Sequence, residues 1–468
     1  MILKPSIFKA YDIRGEWNKD WDSEGTYILA HALTTHFNPK TVAIGYDMRL
    51  SSPEIFKQLT NAFRERGMNI IDLGLCATEL VYYVSSYPSS EIPTVDLAIM
   101  ITASHNPGKD NGLKIVLPNA VCIGLDSGLD KVRDIASDQP IPITTNQTNP
   151  LNQKNGTLTH YDAWQNYKHH VFSLAPKTTF SKKYNIVIDA SNGVGSVLVD
   201  KIFSSLNVNI LRQCWTPDGT FPNHPADPAQ ENNTLDCQKR VLEEKADLGV
   251  CLDGDSDRVF VIDELGRYIP GYYLAALLTD HILKQSPHSG QEHIIHDPRY
   301  YKATRAVITK HHATPHKVRV GHTLIKDAMR RVESLFSAEC SGHIFYRQNK
   351  YAESTMLTIL HVLTIIDEYG TLSKAVDPFF TQYQLSGEIN FIVENPQQIL
   401  KNLETKYHDA SIDYVDGVDI AYSNWRCNVR TSNTQPLLRL NVEAPSKQLV
   451  DTKVEELKTI IGGTIADH

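Results

Sequence analysis

An α/β architecture in several domains is what this sequence predicts: three related α/β units with mixed sheets, then a smaller C-terminal α+β unit. Three observations carry the prediction. First, an apolar strand ending in aspartate, then a turn, then a helical pattern recurs at Thr41 to Asp47, Asn185 to Asp189 and His293 to Asp297. Second, each copy is followed downstream by a polar loop, in which Ser104, Asp255 and Ser341 stand. Third, the pattern changes near residue 380. Gly387 to Val393 and Leu437 to Glu443 alternate in the manner of strands, and Pro396 to Tyr407 reads as a short helix. The polar stretch Ile141 to Pro150 is the predicted first linker. The divisions expected are residues 1–150, 151–260, 261–370 and 371–468.

The bulk properties bound the function. A chain of 468 residues with 41% hydrophobic and 21% charged content suits several soluble globular domains. A net charge of −8 argues against a nucleic-acid surface, so an anionic ligand must meet a local basic pocket. Met1 to Gly15 holds no apolar signal region, and no run approaches the length of a membrane span. With seven cysteines and no C-x-x-C, reduced thiols in a cytoplasm are expected. The histidine pairs at 169–170 and 311–312 have no cysteine or glutamate at zinc-ligand spacing and read as solvated surface.

The stretch Asp253-Gly-Asp-Ser-Asp-Arg258 is the strongest chemical signal. The apolar runs Ala246 to Leu252 and Val259 to Ile262 flank it, so it reads as a loop between two strands. Strand alternation would put Asp253, Asp255 and Asp257 on one side. A hard divalent cation with oxygen ligands neutralises such a cluster. An EF-hand is excluded: Arg258 stands where the sixth-position glycine is required, although Glu264 falls at the twelfth.

Three other loops could carry chemistry. Leu97 to Ile101 reads as a buried strand, and Thr102 to Pro107 (TASHNP) as a turn presenting Ser104 as a nucleophile. His105 is a poor base for it, because sequence neighbours usually point apart, whereas Lys114 could return to the same loop. In Ala338 to His343, Glu339 and Ser341 suit adjacent sugar hydroxyls, and His343 could exchange a proton near neutral pH. Arg430 to Pro436 offers Arg430, hydroxyl and amide side chains and backbone N–H groups to a phosphate.

In this order the residues resemble the α-D-phosphohexomutase family, in its phosphomannomutase/phosphoglucomutase branch. The matching stretches are Phe8 to Gly15 (FKAYDIRG), Thr102 to Pro107, Asp253 to Arg258, Val320 to Ile325, Glu339 to His343 and Arg430 to Pro436. The resemblance implies four domains around a central cleft and a phosphoserine enzyme. Ser104 would carry the phosphoryl group and, with Asp253, Asp255 and Asp257, hold Mg²⁺. Glu339 and Ser341 would bind the sugar, and Arg430, Ser432, Asn433 and Thr434 the non-reacting phosphate. Tyr11 and Arg14 would line the cleft, Arg14 and Arg258 near the transferring phosphate; Lys114, His322 and His343 are the candidates for proton transfer. The substrates implied are hexose 6- and 1-phosphates of mannose or glucose, with a hexose 1,6-bisphosphate as intermediate and activator. The amino-sugar mutases and a non-catalytic sugar-phosphate binder are the alternatives; monomer and dimer both stay open.

The sequence departs from the family pattern at Ala338, at Thr431 and Gln435, and at Arg299, which stands where a lysine is frequent. An arginine releases no proton, so Arg299 is expected to contact phosphate.

Overall fold

The strand Leu97–Ile101 is buried along its whole length, as its unbroken apolar run requires. It lies centrally in the first sheet, whose order is Ile13–Glu16, Asp110–Leu117, Leu97–Ile101, Thr41–Tyr46, Asn69–Leu75 and Leu158–His160. Thr41–Tyr46 pairs in parallel with Asn69–Leu75 and Leu97–Ile101, while Asp110–Leu117 runs antiparallel to its neighbours. The sheet is therefore mixed. Helix Ser23–Phe37 begins where Asp22 accepts a hydrogen bond from Gly25 N at 2.8 Å, and ends at Asn38 with φ +46°.

This computed structural model describes residues 3–89, 94–138, 155–431 and 437–466. The predicted linker 141–150 and the site candidates Ser432, Asn433 and Thr434 lie outside the described residues. The chain divides into two compact units: Met1–Tyr268 with Gly342–Asp367, and Ile269–Ser341 with Glu368–His468.

The first unit also holds a second mixed sheet. Val208–Gln213, Tyr184–Asp189 and Leu248–Leu252 are parallel, and Val259–Ile262 runs antiparallel to Leu248–Leu252. Leu252 pairs with Val259, so the acidic stretch is the tip of a hairpin, as the flanking apolar runs predict.

In the second unit three parallel strands, Thr314–Lys317, His293–His296 and Phe336–Ala338, lie side by side. Helices Gly271–Gln285, Lys302–Lys310 and His322–Val332 accompany them. The remainder is an antiparallel sheet in the order Ser411–Asp413, Val418–Ala421, Arg426–Thr431, Leu438–Ala444, Ile389–Ile392 and Thr464–Ile465. Helices Pro396–Lys406 and Lys447–Ile461 close its core through Leu400, Leu403, Val450 and Leu457. This is the predicted α+β unit.

The recurrent strand-end aspartate has one structural meaning throughout. Asp47 Oδ1 accepts from Arg49 N at 3.0 Å, Asp189 Oδ1 from Ser191 N at 2.8 Å, and Asp297 Oδ1 from Arg299 N at 2.8 Å. Each carboxylate thus satisfies the backbone at the tight turn where its strand ends.

Candidate active site

Ser104 is 1% exposed and holds φ +51°, a left-handed conformation uncommon outside glycine. Its N–H donates to Thr102 Oγ1 at 2.8 Å, and its hydroxyl donates to Asp253 Oδ2 at 2.7 Å. The same Oγ lies 3.1 Å from His105 Nδ1, against the expectation that neighbours point apart. The left-handed backbone turns the serine side chain back over its neighbour. Burial, then the charges of Arg258 and Arg14, hold His105 well below the usual imidazole range.

Arg49 clamps this turn. Its guanidinium donates to the carbonyls of Ser104 and Asn106 at 2.7 Å each, of Pro107 at 2.6 Å and of Asp110 at 2.8 Å. Its Nε donates to Asp47 Oδ2 at 3.1 Å. Arg14 donates to Asn106 Oδ1 at 2.8 Å and Asp12 Oδ2 at 2.5 Å, and its buried Nε has no hydrogen-bond partner among the described residues. Tyr11 is half-buried just ahead of Ile13–Glu16.

Asp253, Asp255 and Asp257 are all buried, and one oxygen of each lies within 4.8 Å of the others. Their convergence comes from a turn, with Ser256 at φ +60° and its N–H on Asp253 O at 3.1 Å, rather than from strand alternation. Asp255 Oδ2 accepts from Thr78 Oγ1 at 2.5 Å and Lys114 Nζ at 2.6 Å; its buried Oδ1 has no hydrogen-bond partner among the described residues. Lys114 also pairs with Asp257. Burial, then the charges of Asp255 and Asp257, drive the Asp253 carboxyl well above its usual range. Burial opposes the Lys114 charge, but these carboxylates overcome it and raise its pKa. A compact all-oxygen donor set with an unpartnered buried oxygen fits a hard divalent cation.

Gly254 sets the spacing of the two loops. A Cβ there would lie 2.5 Å from Ser104 O. On the far side, Arg258 N donates to Asp253 Oδ1 at 3.1 Å, and Arg258 Nε donates to His343 Nε2 at 3.1 Å. His343 Nδ1 therefore carries the ring proton; it lies 3.7 Å from Asp257 Oδ1 and 3.6 Å from Glu353 Oε1. One unit thus brings together Ser104, the three aspartates, Lys114, Arg14, Arg258 and His343.

The second unit holds the other candidates. Arg299 is paired with Asp297, whose Oδ2 also accepts from Cys340 N at 2.9 Å. Glu339 Oε1 accepts from Gly321 N at 3.2 Å, next to His322 at the start of its helix. Ser341 is half-buried. Arg430 and Arg439 bind opposite oxygens of Glu388 at 3.1 and 3.0 Å. Burial opposes it, but the Arg299, Arg430 and Arg439 charges hold Glu388 below the usual carboxylate range. Among the described residues the buried Nε atoms of Arg430 and Arg439 have no hydrogen-bond partner.

Sequence reasoning missed Arg49, Thr78, Glu353, Glu388 and Arg439. Arg49 had a signal: like Arg299, it stands two residues after a strand-end aspartate. Thr78 had none, since it reaches Asp255 across 177 residues.

Comparison with known proteins agrees along almost the whole chain. The family descriptions Phosphoglucomutase/phosphomannomutase, alpha/beta/alpha domains I, II and III, match residues 5–139, 165–266 and 270–383, and the C-terminal domain matches 388–460. A protein of Xanthomonas campestris pv. campestris named for phosphohexose mutases is 34% identical, covering 97% of this chain and 99% of its own. A phosphomannomutase of Escherichia coli is 31% identical over 97% and 99%. The crystal structure of a phosphoglucomutase/phosphomannomutase family protein from Burkholderia thailandensis superposes with a TM-score of 0.86 at 25% identity, covering 99% of this chain and all of that one.

Three α/β/α units, an antiparallel fourth and these matches define an intramolecular phosphotransferase. The chain belongs to the phosphoglucomutase/phosphomannomutase family.

Proposed function

We propose that the protein interconverts hexose 6-phosphates and hexose 1-phosphates of mannose and glucose by way of a phosphoserine at residue 104. The observation that supports this most directly is the buried Ser104 hydroxyl, 2.7 Å from one of three clustered aspartates. An isolated carboxylate cluster or an isolated serine turn would not need the other.

Phospho-Ser104 gives its phosphoryl group to the free hydroxyl of a bound hexose phosphate. The P–O bond to serine breaks, a P–O bond to the sugar forms, and the hydroxyl proton leaves to a base, for which Lys114, His322 and His343 stay candidates. The hexose 1,6-bisphosphate then turns end over end and returns its other phosphoryl group to Ser104. Asp253, Asp255 and Asp257, with an oxygen of the phosphoserine, are assigned to Mg²⁺, which supplies charge withdrawal from the transferring group. Arg14 and Arg258 add fixed positive charge beside the serine.

Tyr11, Glu339 and Ser341 are assigned to the sugar, and Arg299, Arg430, Ser432, Asn433 and Thr434 to the phosphate that does not react. Arg299, paired with Asp297, is a phosphate contact and moves no proton. The proposed divisions 1–150, 151–260, 261–370 and 371–468 each contain one of these loops.

A ³¹P assay with mannose 1-phosphate, glucose 1-phosphate and N-acetylglucosamine 1-phosphate, each with a trace of bisphosphate, tests the reading. The wild-type protein is expected to convert the first two to 6-phosphates, and Ser104→Ala to lose turnover by orders of magnitude while still binding them. Unchanged turnover in Ser104→Ala would contradict the nucleophile, and conversion of the amino sugar alone would contradict the substrates.

A further inference from the structure

Asp189, the strand-end aspartate of the second repeat, differs from its two counterparts. Asp47 and Asp297 each pair with an arginine two residues on, whose charge cannot be given up. Asp189 has Ser191 at that position, and its Oδ2 faces His224 Nε2 at 3.1 Å instead. Cys214 Sγ lies 3.6 Å from the same Nε2, and the ligand atoms of Asp189, Cys214 and His224 all fall within 4.8 Å of one another.

A nucleophilic triad is not what this is. In a relay the base touches the nucleophile with one ring nitrogen and the carboxylate with the other. Here one nitrogen, Nε2, meets both. The other, Nδ1, lies 2.9 Å from the carbonyl of Pro225 and donates to it. That bond fixes the ring with Nε2 facing the carboxylate and the thiol, so that loss of the Nε2 proton leaves a lone pair aimed at the space between them, the usual orientation of a metal-binding imidazole. Asp189 is oriented too: Ser191 N donates to Oδ1 at 2.8 Å and Gln213 Nε2 to Oδ2 at 3.0 Å. A carboxylate oxygen keeps a further lone pair after accepting one hydrogen bond.

We infer that Asp189, Cys214 and His224 form a second metal site, for Zn²⁺ or a similar thiolate-binding transition ion, separate from the three-aspartate cluster. The spacings suit it. Tetrahedral zinc separates a thiolate sulfur and an imidazole nitrogen by roughly 3.6 Å, and a nitrogen and a carboxylate oxygen by roughly 3.3 Å. Sulfur and nitrogen donors disfavour Mg²⁺ and favour zinc. Metal uptake displaces the proton shared between His224 Nε2 and Asp189 and the proton of the Cys214 thiol, both of which pass to solvent. Access is open enough: the His224 side chain is 13% exposed and Cys214 is half-buried, so water can fill a fourth position. The ion would staple the segment 214–224 to the end of strand Tyr184–Asp189. The adjoining turn packs on the acidic loop, where Val194 N donates to Gly254 O at 3.0 Å.

Cobalt titration of the metal-stripped full-length protein, with excess Mg²⁺ present, tests this. Expected is a thiolate-to-cobalt charge-transfer band that saturates at one equivalent, is displaced by Zn²⁺, is lost in Cys214→Ser and His224→Ala, and persists in Asp253→Asn. Absence of the band in the wild-type protein, or its survival in Cys214→Ser, would overturn the site. Alkylation mapped by peptide mass gives a variant-free check. Zn²⁺ should slow labelling of Cys214, and unchanged labelling would count against the ion equally.

Discussion

Ser104 occupies a backbone conformation that costs an L-residue about 1–2 kcal/mol, and its surroundings hold it there. The Arg49 guanidinium binds four carbonyls of the segment 104–110, and Thr102 takes the serine N–H. The serine is thereby placed in advance, which is what phosphoryl transfer would ask of it in the proposed role of nucleophile. Arg430 is organised differently. Glu388 holds one of its terminal nitrogens, while its buried Nε has no hydrogen-bond partner among the described residues. The phosphate proposed to bind there would gain charge-assisted hydrogen bonds worth about 1.5–3 kcal/mol. Arg430→Ala should therefore raise KM for hexose phosphates by about 10- to 100-fold, read from initial rates. An unchanged KM would remove Arg430 from the phosphate site.

The acidic hairpin and the serine turn are separate elements that meet through backbone. Gly254 makes the approach possible, because a Cβ would stand 2.5 Å from the Ser104 carbonyl oxygen, which has little freedom to move. Gly254→Ala is expected to part the two loops, lowering kcat by about 100-fold for a displacement near 1 Å. The accompanying loss of stability should stay within about 1–3 kcal/mol, measured by urea unfolding. A variant with wild-type kcat would show that the loop spacing does not matter. The hairpin itself was legible in the chain, since an acidic tip between two apolar runs has few other folds. So were the three strand-end aspartates, because each serves a local turn. Thr78 on Asp255 was not legible: it reaches across from the N-terminal turn of helix Thr78–Ser86. The His105 contact was misjudged because a positive φ reverses the usual divergence of neighbours. The Cys214–His224–Asp189 cluster was also invisible, as its spacing matches no zinc motif.

At the scale of the molecule, a net charge of −8 coexists with local basic groups. Arg14, Lys114 and Arg258 stand in the first unit, and Arg299, Arg430 and Arg439 around Glu388 in the second. An anionic substrate is thus met by fixed local charge rather than by the overall field. Among the described residues no helix is long and apolar enough to cross a membrane. The division into three α/β units and an antiparallel fourth was legible because strand and helix periods differ along the whole chain. The proposed reaction turns on the hydroxyl of residue 104 as the temporary carrier of phosphate. Intact mass spectrometry after incubation with glucose 1,6-bisphosphate, then again after adding hexose 6-phosphate or a phosphatase, addresses that directly. The predicted result is a single added phosphoryl group, mapped to Ser104 and removed by either treatment; steady turnover with no covalent phosphate, or with it on another residue, would contradict the account.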